Sequence, residues 1–226
     1  MTRDTLERKI QELLDEVLLL GSLVEQATLK SVRALIARDL ATSEEVHGAD
    51  LLINEKRFEI EERTITLIAT QQPMARDLRV LTAILEIITE LERMGDYAKG
   101  IGRINMNLGV ESRVKPPGEL IRMAELDVDM LHKALEAFVT ANKAMALEIP
   151  KEDDKVDELF NKLHREVLDL MVSNPDNIDE INHLLWAIHN LERLADRVTN
   201  ICERTVFVAT GTLRELDASD DERIQA

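Results

Sequence analysis

Residues 90–103 read ELERMGDYAKGIGR and residues 190–203 read NLERLADRVTNICE, so the pattern Leu-Glu-Arg-x-small-Asp occurs twice, 100 positions apart. The similarity extends beyond this motif. At an offset of 103, RALIARDLA (33–41) aligns with EAFVTANKA (136–144). Internal similarity over such distances indicates that one structural unit is duplicated in tandem.

The composition favours helices. Aromatic residues make up 3% of the chain and charged residues 32%, while five prolines and eight glycines leave room for long uninterrupted helices. Breaks at QQP (71–73), KPPGE (115–119) and SNPDN (173–177) interrupt the helical pattern. We therefore predict an all-α fold, a tandem repeat of two three-helix bundles built from six long antiparallel helices.

Local signals predict the helix boundaries of the first unit. The first helix ends near Leu40, and the capping-box pattern Thr42-x-x-Glu45 starts the second. Pro73 opens the third helix as its first residue, a position that tolerates the missing N–H of proline.

The same signals predict the second unit. Its first helix extends from Glu119 to Leu147, Pro150 opens the next, and SNPDN opens the last, with Asn174 as its cap. The predicted divisions of the chain are a first unit at 1–114, a second at 115–212, and a flexible acidic tail at 213–226.

The charge balance limits the classes of partner. The net charge is −16, from 44 acidic and 28 basic residues, and such a surface repels nucleic acid. The single Cys202 fits a reducing compartment. The N-terminus lacks the apolar region of a signal peptide, and the longest apolar stretch (17–24) is too short for a transmembrane segment. We expect a soluble, cytoplasmic protein.

An aliphatic stripe on the third helix leads into two acids. At about 100° per residue, Glu92 and Asp96 lie on the meridian of four preceding residues, Leu78, Leu81, Leu85 and Ile88. The sixth helix repeats the arrangement with Glu192 and Asp196, which follow Ile178, Ile181, Leu185 and Ile188. A buried face that ends in two carboxylates suggests a site.

Antiparallel packing predicts what faces these acids. Counting back from the turn near Gln72 places Asp50 and Asn54 of the second helix opposite Glu92 and Asp96. The same count in the second unit completes the candidate ligand sets: Asp50, Asn54, Glu92 and Asp96, and then Asp153, Asp157, Glu192 and Asp196.

Such acid clusters need countercharge. Two carboxylates about 6 Å apart repel by roughly 3 kcal/mol at an effective dielectric constant of about 20. Lys99 and Arg103 lie near the meridian in the first unit, but Thr199 and Glu203 replace them in the second. Oxygen ligands suit hard divalent or trivalent cations such as Mg, Ca, Mn or iron, so metal binding is the interpretation that both units share. The alternative is a solvated acidic face with ordinary salt bridges.

Residues 49–98, which contain QQPMARDLR and ELERMGDYA, resemble the first repeat of the PhoU family of accessory regulators of phosphate-specific transport. EDDKVDELFNKLHREVLDLM and NLERLADRVTNICE resemble its second repeat, and the resemblance covers about residues 5–210. It implies two three-helix bundles, a homodimer in many members, and metal ions or multinuclear clusters (iron, Mn, Mg or Zn) at Glu92/Asp96 and Glu192/Asp196.

The resemblance also implies partners. They are the ATPase of the phosphate transporter and the histidine kinase that senses phosphate, with phosphate uptake damped when phosphate is plentiful. This function is not enzymatic. Two alternatives are a metal-free helical interaction module and a di-iron carboxylate oxidase. The oxidase would use Glu44-x-x-His47 and Glu180-x-x-His183, whose positions do not favour joining the acid clusters.

Overall fold

In the computed structural model, which describes residues 3–216, seven α-helices follow one another along the chain. Two short 3₁₀ turns, Ile149–Glu152 and Pro175–Asn177, precede α6 and α7, and no strand occurs within the described residues. The all-α fold class is confirmed. The helices are α1 (Arg3–Ala37), α2 (Leu40–Gln71), α3 (Arg76–Leu108), α4 (Leu120–Val139), α5 (Lys143–Glu148), α6 (Asp153–Ser173) and α7 (Ile178–Thr210).

Two three-helix units account for these elements. The first consists of α1, α2 and α3, and in the second α4 and α7 take the places of α1 and α3. In the second unit, α5, the 3₁₀ turn Ile149–Glu152 and α6 together correspond to α2. The backbone from Glu148 to Asp153 stays in the right-handed helical region, so these three elements follow one another as one helical segment. The predicted boundary between the units, 114/115, lies in the non-helical stretch 109–119, and one continuous hydrophobic core joins both units.

A sharp corner ends the first helix of each unit. Arg38 and Ala141 both have positive φ, at 58° and 50°, and each is followed by an N-cap residue, Asp39 or Asn142. Two predictions are therefore wrong. The first helix ends at Ala37 rather than Leu40, and the predicted helix 119–147 is broken at 140–142. The side chains of Asp39 and Asn142 cap the helices that follow, and these hydrogen bonds favour a new helix start at each corner.

Proline positions differ from the predictions as well. Pro150 does not open α6 but lies in the 3₁₀ turn Ile149–Glu152. Proline has no backbone N–H to donate, which accounts for the local distortion between α5 and α6. Pro73 does not open α3 but lies three residues before it, in the loop 72–75, where Gln72 and Ala75 both have positive φ. Asn174 ends α6 and precedes the 3₁₀ turn that leads into α7.

The buried face of α3 is centred differently from the predicted stripe. Leu81 and Ile88 are buried as predicted, but Leu78 is 38% exposed, and Ile178 on α7 is 47% exposed. The buried faces instead follow Ile84 and Leu91 on α3 and the corresponding side of α7. The line of residues predicted to be buried therefore lies at one edge of the buried face. Glu92 and Asp96 continue this line and lie beside α2.

Helices α3 and α7 form an antiparallel seam between the units. Glu90 Oε2 accepts hydrogen bonds from Asn200 Nδ2 at 3.0 Å and from Arg197 Nη1 at 3.3 Å. The counterparts of Glu90 and Asn200, 100 positions away in the other unit, are Asn190 and Gly100. These two residues are also in contact across the seam. The seam therefore has an approximate twofold axis, close to Gly95 and Ala195.

The C-terminal end of the described residues contacts α7. Of the tail predicted at 213–226, residues 217–226 lie outside the described part, and Leu216 donates its backbone N–H to Glu203 at 2.9 Å. Among residues 3–216, no helix combines the length and apolar character that a bilayer crossing requires.

Candidate metal centres

The first acid cluster lies between α2 and α3. Asn54 Nδ2 donates a hydrogen bond of 3.2 Å to Asp50 Oδ2, one turn away on α2. Burial raises the pKa of Glu92, and the negative charges of Asp96 and Asp50 raise it further, against the opposing effect of nearby arginines. The structure thus brings Asp50, Glu92 and Asp96 close enough for their charges to interact, and Asn54 is hydrogen-bonded to Asp50.

A lysine provides part of the countercharge in the first cluster. Lys99 Nζ donates a hydrogen bond of 2.6 Å to Asp50 Oδ2 and lies 3.7 Å from Asp96 Oδ1. The hydrogen bond to Asp50 is the main cause that raises the pKa of Lys99, so the ammonium stays charged. The other oxygen of Asp50, Oδ1, is buried and has no hydrogen-bond partner among the described residues.

The second cluster combines residues of α4, α6 and α7. Asp153 and Asp157 lie one turn apart on α6, and Glu192 and Asp196 one turn apart on α7. Another acid, Asp127 of α4, is not among the residues predicted from the sequence, and its side chain is 0% exposed. Burial raises its pKa well above the ordinary value, and the negative charges of Asp153 and Asp196 add to this effect.

Asp127 had a recognisable signal in the sequence. It interrupts the buried apolar stripe of α4, between Met123 and Met130. At the offset of 103 that relates the units, its counterpart on α1 is Val24, which is buried and apolar as a core position should be. A carboxylate in place of valine inside a core stripe has a large desolvation cost and therefore indicates a specific role.

The chemistry of the donors fits a hard cation. Asp50 Oδ1 and both oxygens of Asp127 are buried without hydrogen-bond partners in the described structure, and carboxylate oxygens are the preferred ligands of Mg²⁺, Ca²⁺ and Mn²⁺. As the side chains of residues 3–216 are placed, however, no group of three or more His, Cys, Asp or Glu could hold a metal ion. The metal sites stay a prediction.

The residues of the alternative oxidase site lie elsewhere. Glu44 and His47 are exposed on α2, and Glu180 Oε2 accepts a hydrogen bond of 2.7 Å from Ser112. Cys202 is buried, and burial raises the pKa of its thiol to about 12. A thiol that stays protonated at neutral pH is a poor nucleophile, so Cys202 has the character of a core residue.

Comparisons with known proteins agree with this architecture. A family model described as "PhoU domain" matches the chain twice, at residues 17–104 and 120–205. The "Phosphate-specific transport system accessory protein PhoU homolog" of Clostridium acetobutylicum is 34% identical, over 97% of this chain and all of that protein.

Two crystal structures are similar over most of the chain. PhoU from Streptococcus pneumoniae, a phosphate transport system regulatory protein, superposes with a TM-score of 0.84 at 32% identity, covering 92% of this chain and 99% of that one. PhoU from Pseudomonas aeruginosa gives a TM-score of 0.84 at 30% identity, covering 91% and 99%.

Proposed function

This chain belongs to the PhoU family, and from that premise we propose that it is an accessory regulator of phosphate transport that acts by protein contact and binds metal ions. In this role it restrains phosphate uptake and phosphate-responsive two-component signalling from the cytoplasm, without catalysis. The observation that carries the proposal is the doubled domain match, because both copies carry the same acid pairs at α3 and α7.

Metal binding is proposed at the two acid clusters. Asp50, Asn54, Glu92 and Asp96 would hold an ion in the first unit, and Asp153, Asp157, Glu192 and Asp196 would hold one in the second. A bound cation would supply the positive charge that lets these carboxylates stay ionised side by side. Because the acids come from different helices of each unit, their mutual repulsion opposes close packing, and its neutralisation would stiffen the bundle.

An exposed apolar strip on α2 supports action through protein contact. Leu51, Phe58 and Ile65 recur every seven residues and are 64%, 60% and 51% exposed. Residues spaced by seven lie on one side of a helix, so these three side chains form a row that faces outward. Large apolar side chains exposed on one face are a feature of protein interaction sites. We propose that such surfaces serve the homodimer or contacts with the transporter ATPase and the histidine kinase.

The experiment uses full-length protein purified without a histidine tag. Elemental analysis measures bound metal in the wild type and in the double variant Glu92→Ala/Asp96→Ala. The double variant should lose the metal of the first unit while its helical circular dichroism remains. An unchanged metal content would reject the assignment of that site.

The second measurement tests the regulatory role. Immobilised transporter ATPase and histidine kinase are incubated with the protein, with and without a chelator. Binding that weakens when metal is removed supports the full proposal. Binding that persists in protein without metal indicates the metal-free interaction module, and oxygen consumption after iron(II) addition would indicate the oxidase instead.

A further inference from the structure

Asp127 occupies an environment that is unusual for a carboxylate. Its side chain is fully buried on α4, and neither Oδ1 nor Oδ2 has a hydrogen-bond partner among residues 3–216. The charged groups that act on it most are Asp153 and Asp196, which are also acids. A buried carboxylate that faces two more carboxylates requires either a proton or a cation.

A proton alone would leave the site poorly satisfied. A neutral carboxyl group still has one O–H to donate and one oxygen to accept, and each buried polar group without a partner costs about 1–3 kcal/mol. The nearest lysine along α4, Lys133, is bound to Asp129 at 2.7 Å and to Glu152 at 2.8 Å. A cation between the acids would satisfy both oxygens of Asp127 at once.

The two units differ at this point. In the first, the position of Asp127 is taken by Val24, and Lys99 provides a permanent positive charge at Asp50. In the second, Lys99 is replaced by Thr199, which is buried and uncharged. The second cluster therefore has an additional carboxylate and lacks the lysine that partly neutralises the first.

We propose that Asp127 is a direct ligand of a hard divalent cation in the second unit, together with Asp153 and Asp196, and that this unit binds the cation more tightly than the first. The proposal rests on the metal-binding part of the proposed function. It adds a ligand from α4, so that one ion would join the three helices α4, α6 and α7. The number of carboxylate ligands strongly affects the affinity of oxygen sites for such cations.

The test is a titration of metal-free, full-length protein with Mn²⁺. Binding is followed by the loss of the EPR signal of free Mn²⁺ and by calorimetry. Asp127→Asn removes the charge with almost no change of shape. Asp129→Asn is the matched control, because Asp129 lies on the same helix but is 54% exposed and paired with Lys133.

The expected result is specific. Asp127→Asn should weaken the tightest Mn²⁺ binding step about tenfold or more, whereas Asp129→Asn should change it by less than about twofold. Asp127→Val, which introduces the residue of the first unit, should have the same effect. This second variant also covers the case in which the buried asparagine does not fold, since valine suits an apolar stripe.

Two outcomes would overturn the inference in different ways. If the wild type binds Mn²⁺ and both variants at Asp127 bind it equally well, Asp127 is not a ligand, although metal binding as such stands. If the wild type itself does not bind Mn²⁺ by either method, the metal-binding part of the proposed function fails along with the inference.

Discussion

Lys99 Nζ lies 2.6 Å from Asp50 Oδ2 and so links α3 to α2 by an ion pair whose carboxylate side chain is only 8% exposed. Buried charges of this kind lose little to solvent screening, and removing one partner leaves the other without compensation. Loss of Lys99 should therefore cost more than loss of one partner of an exposed ion pair, because Asp50 would stay buried without its counterion.

Replacing Lys99 should destabilise the protein. We expect Lys99→Met to lower the free energy of unfolding by about 2 kcal/mol in metal-free buffer at neutral pH, measured by urea denaturation. The control is Lys30→Met, which removes an ion pair to Glu45 of the same length, 2.6 Å, between side chains that are 49% and 65% exposed. Its effect should be below about 0.5 kcal/mol. Equal effects of the two variants would contradict the role given to the Lys99 pair.

Both corner caps should contribute to stability. Asp39 accepts a hydrogen bond from the backbone N–H of Thr42 at 3.0 Å, and Asn142 accepts one from Met145 at 3.1 Å. Asp39→Ala and Asn142→Ala should each lower the free energy of unfolding by about 1 kcal/mol, measured from denaturant midpoints. Asn177 precedes α7 without a side-chain cap bond, so Asn177→Ala should cost clearly less.

The close approach of Gly95 to Ile53 predicts an interaction between two substitutions. A Cβ atom on Gly95 would lie 3.1 Å from Ile53 Cδ1 and 3.2 Å from Ile53 Cγ2. These close contacts oppose the gain of about 1 kcal/mol in helix propensity that alanine would bring. The second unit has Ala195 and Val156 at these positions. Valine at position 53 removes the contact with Cδ1 and keeps a γ-methyl group, so Gly95→Ala should be more favourable in the Ile53→Val background than in the wild type, by about 0.5 kcal/mol. A double-mutant cycle measures this coupling, and additive effects would refute it.

Glu25 should give the stability a pH dependence. Burial raises the pKa of Glu25, and His132, whose Nδ1 lies 3.3 Å away on α4, opposes this only in part. A carboxyl group with a raised pKa in the folded state favours folding at low pH, and this contribution is lost as the pH rises through the folded pKa.

Glu25→Gln removes this dependence. Relative to the wild type, the variant should gain stability between pH 4 and pH 7.5, by up to about 1 kcal/mol. Urea denaturation at both values measures the difference. Glu44→Gln, at an exposed position of α2, provides the comparison. A gain that is the same at both pH values would show that the charge of Glu25 has no part in it.

The sequence predicts the class of fold and the duplicated unit well because both depend on patterns repeated over many residues. The corner at Asn142 was missed although the aligned segments place it opposite Asp39, because the surrounding residues are good helix formers and Pro150 offered a more obvious boundary. Short capping signals are easily outweighed when helix propensity is summed along a segment.

The first cluster was predictable to the level of helix faces. Antiparallel counting places Asp50 near Glu92 and Asp96, and the structure agrees. Asp127 can be recognised from the sequence only when α4 is compared with α1, because Asp127 occupies the position that Val24 has in α1. The contact of Lys99 with Asp50 depends on the side-chain packing of two helices, which periodicity alone does not determine.

The antiparallel register of α3 and α7 has an electrostatic consequence. Its approximate twofold axis passes close to Gly95 and Ala195, and Asp96 and Asp196 directly follow these residues in the chain. Both acid pairs therefore lie near the middles of α3 and α7, at about the same height along the seam. A proton or ion that binds to either pair changes the charge at this height and leaves the charges at the two ends of the seam unchanged.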